Sequence, residues 1–106
     1  MNIRERMKAF YLNQANEIIG FYEVSSGGVA GTIADIRLIL VPALLCGASG
    51  IILGHNHPSG NLAPSNADIN LTKKIKDAAK LLNMDLLDHI ILTETSYSSF
   101  ADEGLL

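Results

Sequence analysis

Ile51-Ile52-Leu53-Gly54-His55-Asn56-His57-Pro58 decides how the rest of the chain is read. Its first residues are apolar on both faces, as in a central strand covered on two sides. Its last residues bring two imidazoles to the end of that strand. His55 and His57 stand two apart, so an extended backbone turns both side chains the same way. Upstream, Leu38 to Gly54 carries no charged residue and approaches membrane-spanning length. Pro42, Gly47, Ser49 and Gly50 divide that run, so it reads as a buried helix, a glycine stop and a buried strand. Downstream, Pro58-Ser59-Gly60-Asn61 and Ala63-Pro64 are turn formers that swing the chain round. Ser65 then reads as the N-cap of a helix with Asp68 in its first turn, where a carboxylate suits the helix dipole.

Two neutral imidazole nitrogens and one carboxylate oxygen are the ligand set of a catalytic zinc, three protein ligands with a fourth position open to water. A structural zinc would need a fourth protein ligand, and the only cysteine, Cys46, lies in the apolar run. His55, His57 and Asp68 therefore point to a water-activating site for one Zn2+ ion. The plainer readings stay beside this one. A His-x-His pair also occurs by chance on loops, and Asp68 can serve as a capping-box acid reaching back to the Ser65 amide.

Working outward, Lys8 to Asn13 and Ile18 to Val24 are β-prone runs parted by the polar Gln14-Ala15-Asn16, which predicts an antiparallel hairpin. Ser25-Ser26-Gly27-Gly28 reads as a turn, and Val29 to Ile33 as a further strand. Asp35 sits at an N-cap position before Ile36, Ile39, Leu40, Ala43 and Leu44, whose spacing predicts the buried face of a helix. Pro42 inside that helix predicts a kink or a lost hydrogen bond, and Gly47 or the following residues its end. Asn66 to Asn83 is the clearest helix, with an apolar stripe of Ile69, Thr72, Ile75, Ala79 and Leu82. Leu86 to Thr93 and Tyr97 to Phe100 read as strands. The pattern predicts one α/β domain over residues 1–106, a mixed β-sheet with flanking helices.

The chain has 106 residues, about half of them apolar, which suffices for a single core without disulfides or metal staples. A formal net charge of −3 argues against a broad basic surface for phosphate backbones. Lys73, Lys74, Lys76 and Lys80 do cluster, but with Asp77 among them they read as a solvated helix face. One cysteine excludes an internal disulfide, and no basic-then-apolar signal sequence is visible, so a reducing cytoplasm fits best. The apolar helix from Leu38 to Leu45 exceeds what one small core covers and suggests a homodimer.

Several stretches resemble the RadC family within the JAB/MPN (JAMM) metallopeptidase-like domains. They are Glu23 ahead of Ser26-Gly27, His55-Asn56-His57-Pro58-Ser59-Gly60, Pro64-Ser65 with Asp68, Leu87-Asp88-His89-Ile90-Ile91, and Ser99-Phe100-Ala101-Asp102-Glu103-Gly104. The resemblance runs nearly end to end and implies the JAB/MPN, cytidine deaminase-like architecture. It implies a zinc metallopeptidase site with His55, His57 and Asp68 as ligands, Glu23 as general base, and Ser65 stabilising the oxyanion. Glu23 lies in a strand among aromatic and aliphatic residues, where desolvation would raise its pKa, although a solvent-facing strand Glu is the plainer reading. Ser65 has an equally good role as N-cap. Asp88-His89 reads either as a pair orienting a metal ligand or as a core histidine satisfied by its surroundings. Asn56 departs from the Ser or Thr of the deubiquitinase branch and leaves the substrate open. The implied activity is hydrolysis of a peptide or isopeptide bond in a protein or peptide substrate. The alternatives are a non-catalytic MPN scaffold or binding module, and a DNA-repair role exerted through protein partners, since the acidic balance gives no footprint for direct DNA binding.

Overall fold

The computed structural model describes residues 5–24 and 35–106. The turn expected at Ser25 to Gly28 and the strand expected at Val29 to Ile33 lie outside the described residues. Within them the order is β1 (Met7–Leu12), β2 (Ile18–Val24), α1 (Ile36–Cys46), β3 (Gly50–Asn56), α2 (Asn66–Leu81), β4 (Asp85–Leu92) and β5 (Tyr97–Ser99). The five strands form one mixed sheet in the order β2-β1-β3-β4-β5, with β3 and β4 parallel and the other neighbours antiparallel. This is the mixed α/β sheet with helices that the pattern predicts, and β3 is its central strand.

Alternation along each strand sorts the side chains between two faces. Ala9 and Tyr11 of β1, Ile51 and Leu53 of β3, and Leu86 of β4 are buried in one core with Ile39, Leu40 and Ala43 of α1 and Leu71, Ile75 and Ala79 of α2. Both helices therefore share the core with the same face of the sheet. The Tyr11 hydroxyl donates to the Ile39 carbonyl at 2.6 Å, tying β1 to α1, and burial pushes its pKa up to about 12. No described helix is long and apolar enough to cross a membrane.

Asp35 caps α1 by accepting from the Arg37 amide, and Gly47 ends it at φ 70°, a left-handed conformation that glycine takes without a Cβ penalty. Pro42 sits inside a continuous helix. Its missing N–H leaves the Leu38 carbonyl without the usual partner four residues on, a lost bond without an end to the helix. Leu44, expected on the buried face, is instead 51% exposed. It stands about 100° round the helix from Ala43 and so turns off the sheet. Leu38, Val41 and Leu45 are also exposed, which gives α1 an apolar outer side.

The stripe of α2 also differs in detail. Its buried residues are Asp68, Leu71, Thr72, Ile75 and Ala79. Ile69 stands about 100° round the helix from Asp68 and is only half-buried, while Leu82 is the C-cap and 40% exposed. The helix ends two residues before the expected Asn83, which adopts φ 58° in the turn to β4.

Candidate metal centre

The core pattern itself builds the site, because each buried row of side chains runs on past the apolar residues into a polar one. On β3 the row Ile51, Leu53 continues to His55, and two residues further His57 keeps the same side, its amide bonded to the Leu92 carbonyl of β4 at 2.8 Å. On β1, Met7 faces His55 across the ladder, and the Asn56 amide bonds the Arg6 carbonyl. That antiparallel register, carried two residues back from Met7, sets Glu5 opposite His57. On α2 the buried stripe starts at Asp68. Three elements that pack against one another thus bring four donor side chains to one end of the sheet.

His55, His57 and Asp68 are 8%, 8% and 6% exposed, whereas nearly half of the Glu5 side chain is open to solvent. Asp68 Oδ1 lies 3.3 Å from His55 Nδ1, and Asp68 Oδ2 lies 3.3 Å from His57 Nε2. From the other side, Glu5 Oε1 lies 3.7 Å from His55 Nε2 and 3.9 Å from His57 Nε2. The four side chains close a ring, and Glu5, His55 and His57 each bring a ligand atom to within 4.8 Å of the others, compatible with a single metal ion.

Hydrogen bonding prepares the set for a cation. His57 Nδ1 lies 2.8 Å from the Asn61 carbonyl, which requires a proton on Nδ1 and leaves the Nε2 lone pair facing both carboxylates. Asp68 Oδ2 accepts from the Ser65 amide at 2.9 Å while Ser65 Oγ accepts from the Asp68 amide at 3.0 Å, the reciprocal capping box. Burial works to raise the Asp68 pKa, but the neighbouring His55 and the Ser65 amide outweigh it and hold the carboxyl well below the usual carboxylate range. His55 Nδ1 is buried and makes no hydrogen bond, because Asp68 Oδ1 at 3.3 Å is off its N–H direction. Adjacent ligands at about 2.0–2.1 Å from a tetrahedral zinc would themselves stand about 3.3 Å apart, and this is the separation of His57 Nε2 from Asp68 Oδ2.

The structure brings together His55, His57, Asp68 and Ser65 as the sequence led one to expect, and leaves Glu23 elsewhere. Lys8 pairs with Glu23 on one side and Gly54 on the other, so Glu23 points to the sheet face opposite His55. Its nearest described charge is the Arg6 guanidinium, 3.8 Å away at the surface. The second carboxylate at the histidines, beside Asp68, is that of Glu5, which the sequence reading missed. The available signal was the period of two on β1, where Glu5 precedes the buried Met7, Ala9 and Tyr11.

A family model described as the RadC-like JAB domain matches residues 1–105. The chain belongs to that family. The RadC-like domain is 52% identical over 101 residues to a UPF0758 protein of Flavobacterium johnsoniae, covering 95% of this chain and 44% of that protein. It is 50% identical over 104 residues to a UPF0758 protein of Porphyromonas gingivalis, covering 97% of this chain and 46% of that one. A third, from Aquifex aeolicus, is 43% identical over 103 residues, with 97% and 45% covered. The RadC-like domain therefore spans less than half the length of these relatives.

Ser65 offers a contained test of the cap. Ser65→Ala removes the acceptor of the Asp68 amide and is expected to cost about 1 kcal/mol in urea unfolding. An unchanged midpoint would show that the box holds nothing together.

Proposed function

We propose that this RadC-like JAB domain is a zinc-dependent hydrolase of amide bonds, peptide or isopeptide, in a protein or peptide substrate. The observation that carries this reading is the ring of His55, His57, Asp68 and Glu5, two buried imidazoles between two carboxylates. Held by His55, His57 and Asp68, zinc would supply the positive charge that lowers the pKa of water toward neutrality and polarises a carbonyl.

The chain's own residues account for the rest. Asn61 fixes the His57 ring with its Nε2 lone pair inward, and the Ser65 amide fixes the Asp68 carboxylate. Glu5 Oε1, at 3.7 and 3.9 Å from the two Nε2 atoms, is within reach of a water held at the site. It is suited to take the proton of the attacking water and return it to the leaving amine. Glu5 thus takes the part that the family resemblance alone had given to Glu23. Ser65 Oγ spends a lone pair on the Asp68 amide, so its hydroxyl hydrogen remains to donate to the developing oxyanion.

Metal analysis of the purified chain is expected to find about one zinc per molecule, lost on His57→Ala. A screen against unbiased peptide and isopeptide libraries is expected to detect cleavage that chelation stops. A chain that takes up no metal, or cleavage that survives chelation, would sink the reading.

A further inference from the structure

Behind His55 lies a histidine that the hydrolysis scheme leaves unused. His89 is fully buried on β4, stacked on Phe100 with ring centroids 4.5 Å apart, and its ring centroid is 5.9 Å from that of His55. Its Nδ1 is 2.6 Å from Thr72 Oγ1, and Thr72 Oγ1 is also 2.7 Å from the Asp68 carbonyl. A hydroxyl has one hydrogen. The carbonyl can only accept, so Thr72 donates to Asp68 and must accept from His89, which puts the His89 proton on Nδ1. His89 Nε2 is then a bare lone pair, and it is buried without a hydrogen-bond partner.

The two buried side-chain nitrogen or oxygen atoms left without a hydrogen bond among the described residues are this nitrogen and His55 Nδ1. They belong to neighbouring rings and are complementary. If His55 turns Nε2 to the metal, beside Glu5 and His57, its Nδ1 must carry the proton and needs an acceptor. Asp68 Oδ1 is off the N–H direction, and the other oxygen of that carboxylate already accepts from the Ser65 amide. In-line hydrogen-bonded imidazoles have centroids about 5 Å apart, so at 5.9 Å and a 31° tilt the two rings do not bond each other directly, and a water off the line between them would serve both nitrogens.

We propose that Thr72 and His89 act as positioning residues that select the metal-facing nitrogen of His55, with His89 Nε2 accepting the His55 Nδ1–H through one buried water. This rests on the zinc reading of the site, but part of its test does not need the metal. The relay joins α2 to β4 and β3, so the ligand on the helix, Asp68, and the ligand on the strand, His55, are set by one chain of hydrogen bonds.

Nitrogen-15 NMR of the metal-free protein is expected to show His89 and His55 both protonated at Nδ1. His89→Phe, which keeps the ring stacked on Phe100, is expected to release His55 to a mixture of tautomers. In zinc titrations against a competing chelator, His89→Phe and Thr72→Val are each expected to bind about 10–100-fold more weakly than wild type, with Thr72→Ser restoring affinity. Unfolding midpoints measured alongside separate positioning from general loss of structure. A His89 protonated at Nε2, or a folded His89→Phe with unchanged His55 tautomer, overturns the proposal. So does wild-type zinc affinity in that variant. If the wild type itself takes up no zinc, the hydrolase reading fails, and the two tautomers still decide the relay.

Discussion

Glu5→Gln is expected to lower turnover by about 10²–10⁴-fold while the protein still holds its zinc. Gln keeps the size and the hydrogen-bonding reach of Glu but cannot take a proton at neutral pH, so loss of turnover with metal retained isolates proton transfer. Glu23→Gln serves as the counter-test and is expected to leave turnover essentially unchanged. The geometry separates the two carboxylates clearly. Glu5 Oε1 stands within 4 Å of both histidine Nε2 atoms, whereas Glu23 is on the opposite sheet face against Arg6. Steady-state rates paired with metal content on the two variants decide the matter. Full turnover in Glu5→Gln, or its loss in Glu23→Gln, would return the role to β2. Loss of zinc together with turnover in Glu5→Gln would make Glu5 a fourth ligand instead of a base.

The contrast between these two residues shows what the sequence could and could not convey. His55, His57 and Asp68 were legible because turn formers and an N-cap are local signals, and the ligands follow from them in order along the chain. The central strand and both helices were legible for the same reason, as each is bounded by Gly, Pro or a capping residue. The period of two on β1 gives the face of Glu5, but its place beside His57 depends on a register between β1 and β3, a pairing of residues about fifty apart that the local pattern does not encode. Glu23 shows the converse. Its strand was located correctly, but which face it took depended on pairing with β1. On α2, the hydrophobic pattern led to Ile69 and Leu82 and passed over Asp68 as part of the buried stripe, because a carboxylate looks like a solvent residue until its partners are known. The same holds for His89, whose burial is explicable only once Thr72, Phe100 and His55 are seen around it. Core and site are one construction here: Met7, Leu53 and Ile75 order the rows that end in Glu5, His55 and Asp68.

That construction should make the metal-free protein sensitive to mild acid. Burial pushes the His89 pKa down from its ordinary 6.5 to about 4, the charge of nearby His55 adds to the lowering, and Asp68 and Asp88 only partly oppose it. The sign follows from which state binds the proton. Above pH 6.5 neither folded nor unfolded chain protonates this ring, and it contributes no pH dependence. Between pH 6.5 and about 4 the unfolded chain takes up a proton that the folded one refuses, so stability falls as pH falls. Below that window both states are protonated and the loss is complete. At about 1.4 kcal/mol per pH unit the full loss is about 3 kcal/mol, a large part of the 5–15 kcal/mol typical of a domain. Other contributions to stability also change with pH, so the diagnostic quantity is a difference in slope. Urea unfolding of chelator-treated protein at steps between pH 7 and pH 4 is expected to show the wild type losing about 3 kcal/mol more than His89→Phe. The variant's absolute stability is immaterial, because a ring without a titratable nitrogen can only remove the slope. Parallel curves for the two proteins would mean that His89 gains a proton in the folded state as readily as in the unfolded one. The buried Nε2 would then already have a partner able to share that charge.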